Sequence, residues 1–262
     1  MTTTIVIRDI EGFAEMREVE QLQREIWGVE DLEIYPTLAL KPQKEVGAIL
    51  IGAFADGRMV GFVFGFPGIL DGETIIHSDM LGVLPAYRSH NLGYLLKCAQ
   101  REAAIALGVK RMTWTFDPLQ SRNAHLNFAK LGVIADRYYV DYYGTTSSFL
   151  HRYGTDRLWV TWWLQSGRVE SRLRLEPPDS VIGDGDLIIE IPLELTADHE
   201  RWRLKTREAF TSAIDRGYVV EEFSVSANVG RYILRHEQHG FKNAIRSDRR
   251  KPSRVSRSVV GR

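Results

Sequence analysis

The sequence predicts an α/β protein, a mixed central sheet flanked by helices, with a smaller C-terminal β-α-β-β unit packed on it. Three observations carry this. Strand-like runs alternate with segments of helical apolar spacing from the N-terminus onward. A tight reversal at Asp56–Gly57 joins two apolar runs, so at least one strand pair is antiparallel. The composition then shifts at Gln165–Gly185, where Glu176, Pro177, Pro178, Asp179, Gly183, Asp184 and Gly185 crowd a stretch poor in apolar residues, as in a connector.

Taken in order, Thr4–Arg8 alternates like a short strand. Glu11–Trp27 places Phe13, Met16, Val19, Leu22 and Ile26 at helical spacing. Gly28–Gly47, which holds Pro36 and Pro42, gives no firm element. Ala48–Ala55 and Met59–Phe66 form the hairpin. After the Pro67–Gly72 turn region, Glu73–Val83 reads as a strand, Asn91–Leu107 as a helix ending at Gly108, and Arg111–Phe116 as a strand. Ser121–Leu131 is a short helix stopped by Gly132, followed by strand-like Val133–Tyr142 and Leu158–Leu164. Beyond the connector, Leu187–Leu193 is a strand, Asp198–Asp215 a helix, and Tyr218–Phe223 and Tyr232–Leu234 strands. The division is therefore 1–165, 166–245 and a basic tail 246–262, read as disordered. With one helix, the second unit buries too little alone and completes its core against the first.

Composition narrows the function classes. The 34 basic and 34 acidic side chains cancel, so no global field draws the chain to nucleic acid or an anionic membrane. The single cysteine, Cys98, excludes an intramolecular disulfide framework and a multi-cysteine metal site, and fits a reducing compartment, the cytoplasm. Met1–Asp9 lacks a basic region followed by an apolar run, and no stretch reaches the ~18 apolar residues of a membrane span, so neither secretion nor insertion is expected. The histidines are scattered, with no pair at i,i+4, so no metal is expected. Ser147 and Ser148 lack a strand-turn-helix elbow, which argues against a serine hydrolase. The Trp159–Trp163 aromatics alternate as inter-strand packing does.

Chemistry concentrates in His77–Lys97, a strand that breaks at Pro85, loops tightly and enters a long helix. Backbone N–H groups of such a loop, at the positive end of a helix dipole, form an anion site suited to a pyrophosphate. Gly93 lets the backbone approach closely, Asn91 tolerates the left-handed conformation, and Arg88 adds a planar multi-donor cation. On the strand before it, strict alternation puts His77, Asp79 and Leu81 on one face, where His77 can accept a proton near neutrality.

Val83-x-Pro85-x-x-Arg88-x-x-Asn91-x-Gly93 resembles the acyl-CoA pyrophosphate motif of the GNAT superfamily of N-acetyltransferases, Arg/Gln-x-x-Gly-x-Gly/Ala, with Asn91 in place of the first glycine. The element order resembles that fold through about Leu164. A second block, Asp117–Val133, resembles the family's strand-loop-helix along the pantetheine arm, ending in aromatic-x-Lys-x-Gly. The resemblance implies acetyl-CoA or another acyl-CoA as cosubstrate. It implies cosubstrate contacts from Leu81, Gly82 and Val83 on the strand and from Arg88, Ser89, His90, Asn91, Leu92, Gly93 and Tyr94 in the loop and helix. Asn123 and Phe128 join them from the second block. It places the base on the strand before the loop, at His77 with Asp79. Many members use a tyrosine to protonate the thiolate where this chain has Phe128, so the acid is sought among Tyr138, Tyr139, Tyr142 and Tyr143, with Tyr138 and Tyr143 as first candidates.

The whole chain also looks like a bacterial branch of that superfamily with an extra C-terminal unit, through Ile189-Glu190-Ile191-Pro192, Trp202-Arg203-x-x-Thr206-Arg207-x-x-Phe210 and Gly217-Tyr218. The expected reaction is direct transfer of an acetyl or succinyl group to a small-molecule amine, for which analogy with some relatives suggests an amino acid or similar metabolite. A protein or peptide acceptor, a non-catalytic acyl-CoA sensor and a fold-only scaffold are the alternatives, and a homodimer is left open.

Overall fold

A computed structural model describes residues 4–145, 148–176, 182–195, 198–226 and 228–236, with only the backbone for Ser89 and Phe149. The basic tail at 246–262, Ser147 and part of the connector lie outside the described residues.

The N-terminal half follows the sequence reading closely. Strand β1 (Ile5–Asp9) leads into helix α1 (Gly12–Trp27), which buries Met16, Val19 and Leu22 and ends on left-handed Gly28. Strands β2 (Ile49–Ala55) and β3 (Arg58–Leu70) form the hairpin, and β4 (Glu73–Val83) pairs antiparallel with β3. A six-residue 3-10 turn, Pro85–His90, precedes helix α3 (Leu92–Ala106), and β5 (Arg111–Phe116) runs parallel to β4. The segment without a firm expectation contains helix α2 (Thr37–Glu45). Pro36 caps it and Pro42 sits within it, so the prolines read as breakers border and interrupt a real helix.

The second half continues the same sheet. Helix α4 (Ser121–Ala124) runs into a π-helical segment (His125–Leu131) that stops at left-handed Gly132. Strands β6 (Ile134–Tyr139) and β7 (Arg157–Trp163) follow, then a short helix α5 (Gly167–Leu173) inside the stretch expected to be connector. Ser166 caps α5, its side chain accepting from the Val169 N–H. Strand β8 (Leu187–Pro192), helix α6 (His199–Asp215), and strands β9 (Tyr218–Ser226) and β10 (Val229–His236) complete the described chain.

Among the described residues the sheet is ten-stranded, in the order β1-β2-β3-β4-β5-β7-β6-β9-β10-β8. The expected C-terminal unit therefore extends the main sheet, joined where Ala135 of β6 meets Val220 of β9. One face carries α3, the π segment and α6: Trp114 packs edge-on against Trp162, the Trp162 indole donates to the Leu131 carbonyl, and Tyr138 stacks on Phe210 of α6. The other face carries α1 and α2 over β3 and β4, with Trp27 against Phe62 and Tyr35 against Phe64. Tyr232 of β10, fully buried, packs edge-on against both Phe128 and Phe210, so the two halves share one core.

Candidate active site

The parallel pair β4–β5 is short. Only Ile76 with Met112 and His77 with Thr113 pair, although β4 runs on to Val83 and β5 to Phe116. Beyond His77 the two strands part, and the facing main-chain groups of Ser78–Val83 and Trp114–Phe116 lose their ladder partners. The result is a fork closed at His77–Thr113 and open toward the loop that follows β4.

At its open end, cationic side chains and helix N-terminal N–H groups come together. Asn91 adopts φ 58°, the left-handed conformation expected of it, and so turns the 3-10 segment into α3. The first N–H groups of α3 have no helical acceptors. Arg88 Nε donates to the Val83 carbonyl, which holds its guanidinium over the strand end. Lys130, the lysine of the aromatic-x-Lys-x-Gly ending, donates to Asn91 Oδ1 at 2.8 Å, adding a cation that the sequence reading did not place at the loop. A Cβ on Gly93 would stand 3.8 Å from Leu81 Cδ2 and 3.9 Å from Leu126 Cδ2, ordinary contacts, so no packing among the described residues demands glycine there. Close approach by a ligand would.

Other expected binding residues take different roles. Leu92 is buried, leaving only its main chain at the loop. Gly82 faces α1: a Cβ there would stand 2.9 Å from Ile26 Cδ1, so helix packing explains the glycine. Tyr94 is paired along α3 with Cys98, and burial raises its phenol to about 12. His90 lies 6.0 Å from Tyr87 ring to ring, and Asn123 is exposed on α4. Phe128 is enclosed by Phe116 and Tyr232, so its ring belongs to the core and not to the fork wall, a correction to the expected contact. The side chain of Ser89 lies outside the described residues.

A β-bulge changes the catalytic strand. Ser78 pairs with Gly65 and Met80 with Phe64, leaving Asp79 unpaired across the ladder. Ser78 points to α3, where its hydroxyl donates to Gln100 at 2.8 Å, yet Gly82, four residues on, faces α1. An uninterrupted strand would put both on one side. The bulge thus separates Leu81, which lies toward α3, from His77, correcting the expectation that His77, Asp79 and Leu81 share a face.

His77 sits at the closed end of the fork, its Nδ1 3.0 Å from Thr113 Oγ1. Burial, and secondarily the charge of Lys97, lowers its pKa to about 4, so the ring is neutral at physiological pH and a weak base. Asp79 moves the other way. Solvent reaches its carboxylate, but the surrounding walls crowd it, and this desolvation raises its pKa above 3.8. It makes no hydrogen bond or ion pair with the described residues. Rings continue from His77: Trp159 at 5.2 Å, Tyr139 6.0 Å beyond it, then Tyr142 at 5.3 Å and Tyr143 at 4.8 Å. Desolvation raises the Tyr142 phenol, and the Asp79 charge adds to that, placing Tyr142 near the bulge. Tyr143, half exposed, stacks on His151 at the outer end of the row.

Tyr138 is excluded from the cleft. Its hydroxyl donates to Asp156 at 2.6 Å on the α6 side, and burial pushes its pKa upward. Asp156 also receives Arg207 at 2.8 Å and 2.9 Å. This is a structural network, which corrects the expectation of Tyr138 as proton donor.

No protein-family model and no curated protein sequence matches the chain. Solved structures do. An acetyltransferase structure assigned to the GNAT family from Desulfovibrio desulfuricans is similar over 62% of this chain and 99% of its own, at 13% identity and TM-score 0.50. A structure described as an acetyltransferase from Salmonella typhimurium, solved with acetyl-CoA, is similar over 62% of this chain and 95% of its own, at 14% identity and TM-score 0.50. The fold is that of the GNAT N-acetyltransferases. The forked β4–β5 pair, the bulge on β4 and the loop into α3 are thus parts of a GNAT fold, and the sheet continues past β6 through β9, β10 and β8. Among the described residues no cluster of His, Cys, Asp and Glu could hold a metal ion, and no helix is long and apolar enough to cross a membrane.

Proposed function

We propose that this protein is an acyl-CoA-dependent N-acyltransferase that moves an acetyl or succinyl group to the amine of a small molecule, with amino acids as the first acceptors to test. The observation that carries this is the fork with an anion loop at its mouth. From Ser78 to Val83, β4 spans about 16 Å at roughly 3.3 Å per residue. A ligand with phosphates at one end, an extended amide-bearing arm and a reactive group at the other would meet the α3 N-terminus, the unpaired strand edges and the bulge in turn. Acyl-CoA has that layout. The Salmonella structure, solved with acetyl-CoA, supports the choice of cosubstrate.

In this reading the acceptor ammonium approaches from the side of His77, Trp159 and Tyr142. Asp79 takes a proton from it, because desolvation raises its pKa and its carboxylate has no hydrogen-bond or ion-pair partner among the described residues. The free amine attacks the thioester carbonyl, and main-chain N–H groups of β4 beyond His77 stabilise the oxyanion. Neutral His77, held by Thr113, orients the acceptor.

The test is CoA thiol release with acetyl- and succinyl-CoA against amino acids, simple amines and short peptides. Asp79→Asn is expected to lower kcat/KM about 10²–10⁴-fold with CoA affinity retained. His77→Ala, which removes an orienting ring, is expected to act mainly on acceptor KM. A base works only when deprotonated, so wild-type activity should fall as pH drops through the Asp79 pKa, above 3.8, and Asp79→Asn should lose that limb. CoA binding without release across the whole panel would instead favour an acyl-CoA sensor.

A further inference from the structure

Phe128 has no hydroxyl, Tyr138 is bound to Asp156, and Tyr139, Tyr142 and Tyr143 follow one another in the row of rings that starts at Trp159, so a proton source at the closed end of the fork must come from another residue type. A lysine amine stands at the closed end of the fork. Lys97, on α3, is 3% exposed. Its Nζ donates to Ser78 Oγ at 2.9 Å and lies 3.7 Å above the Trp114 ring. Ser78 and Trp114 are the first residues past the last paired position on β4 and β5, so Lys97 touches both arms where they separate. A second N–H goes to Gln100 Oε1 at 2.9 Å. An ammonium has three donors, and the third finds no oxygen acceptor among the described residues.

We propose that Lys97 is a catalytic residue that meets the thioester sulfur and protonates the leaving thiolate, an inference that rests on the acyl-CoA reading above. The C–S bond breaks with its electron pair on sulfur, an N–H bond of the Lys97 ammonium breaks, and S–H forms. The acceptor nitrogen sheds its two protons to solvent by way of Asp79, and Lys97 regains one from solvent, so one proton is released per turnover. The groups facing Lys97 are Ser78 of β4, Gln100 and Cys98 of α3, Trp114 of β5, Trp162 of β7 and the His77 imidazole. None is a carboxylate. Burial therefore lowers its pKa well below the usual lysine range, which makes it a readier donor, while a thiolate at contact favours its charged form.

The experiment is titration of CoA bound to the full chain, following thiolate absorbance, for wild type, Lys97→Met and Ser78→Ala. A cation at the sulfur lowers a thiol's pKa. The wild-type protein should shift the bound thiol about one pH unit below free CoA, Lys97→Met should abolish the shift, and Ser78→Ala should reduce it. Turnover in Lys97→Met should fall about 10²-fold with CoA affinity within about threefold. A bound thiol that titrates like free CoA in the wild type overturns the role of Lys97, even if Lys97→Met does not fold. So does an equal shift in wild type and Lys97→Met. Failure of the wild type to bind CoA would overturn the acyl-CoA reading itself.

Discussion

At φ 58°, Asn91 holds the turn that aims the α3 N-terminus at the mouth of the fork, and its side chain receives Lys130. The left-handed conformation costs a residue with an ordinary side chain roughly 1–2 kcal/mol, which asparagine and glycine largely avoid. Asn91→Ala should weaken CoA binding about tenfold, equivalent to about 1.4 kcal/mol, and Asn91→Gly should stay within about threefold, both read by calorimetric titration. Equal losses would show that the Lys130 bond, and not the backbone angle, sets affinity. This position was legible because conformational tolerance belongs to the residue type. Lys97 was not: on an amphipathic helix a lysine reads as solvent-facing, and only the sheet against α3 makes it buried.

Among elements, β4 and β5 were readable to their ends, since apolar runs bounded by turn residues define strands locally. The bulge at Asp79 was not, because it arises from how β4 registers on β3, and it moved Leu81 away from His77. Helix α2 was hidden by its prolines and α5 by the polar stretch around it. The segment joining β5 to α4 is held by the C-terminal part of the chain. Arg203 of α6 makes two bonds to Asp117 at 2.8 Å and 2.9 Å, the Tyr232 hydroxyl donates to the Pro118 carbonyl, and Ser121 donates to the Leu193 carbonyl. Breaking a buried pair from one side costs about 3–5 kcal/mol. Arg203→Met should lower the unfolding midpoint in a denaturant titration and raise KM for acyl-CoA more than it lowers kcat. A variant with unchanged stability and KM would show that α6 does not position the fork.

For the molecule as a whole, the expected boundary near residue 165 marks a change of composition, while the sheet passes through it. Phe128, Phe210 and Tyr232 form one packed group across it, and β9 covers the edge of β6. A chain ending after Leu164 would expose that edge and leave Tyr138 and Phe128 without cover, so it should aggregate or fail to give a cooperative thermal transition. A soluble, cooperatively folded fragment would show the two parts to be independent. Long-range pairing of this kind leaves no local mark in sequence, whereas the anion loop and its strand do.

The most direct measurement follows an isotopically labelled acetyl group from acetyl-CoA by mass spectrometry in a mixture of amino acids and small amines, with wild type and Asp79→Asn side by side. The label is expected on an acceptor nitrogen with wild type and strongly reduced there with Asp79→Asn. Label that stays on bound CoA, or is released only as free acetate, would contradict it.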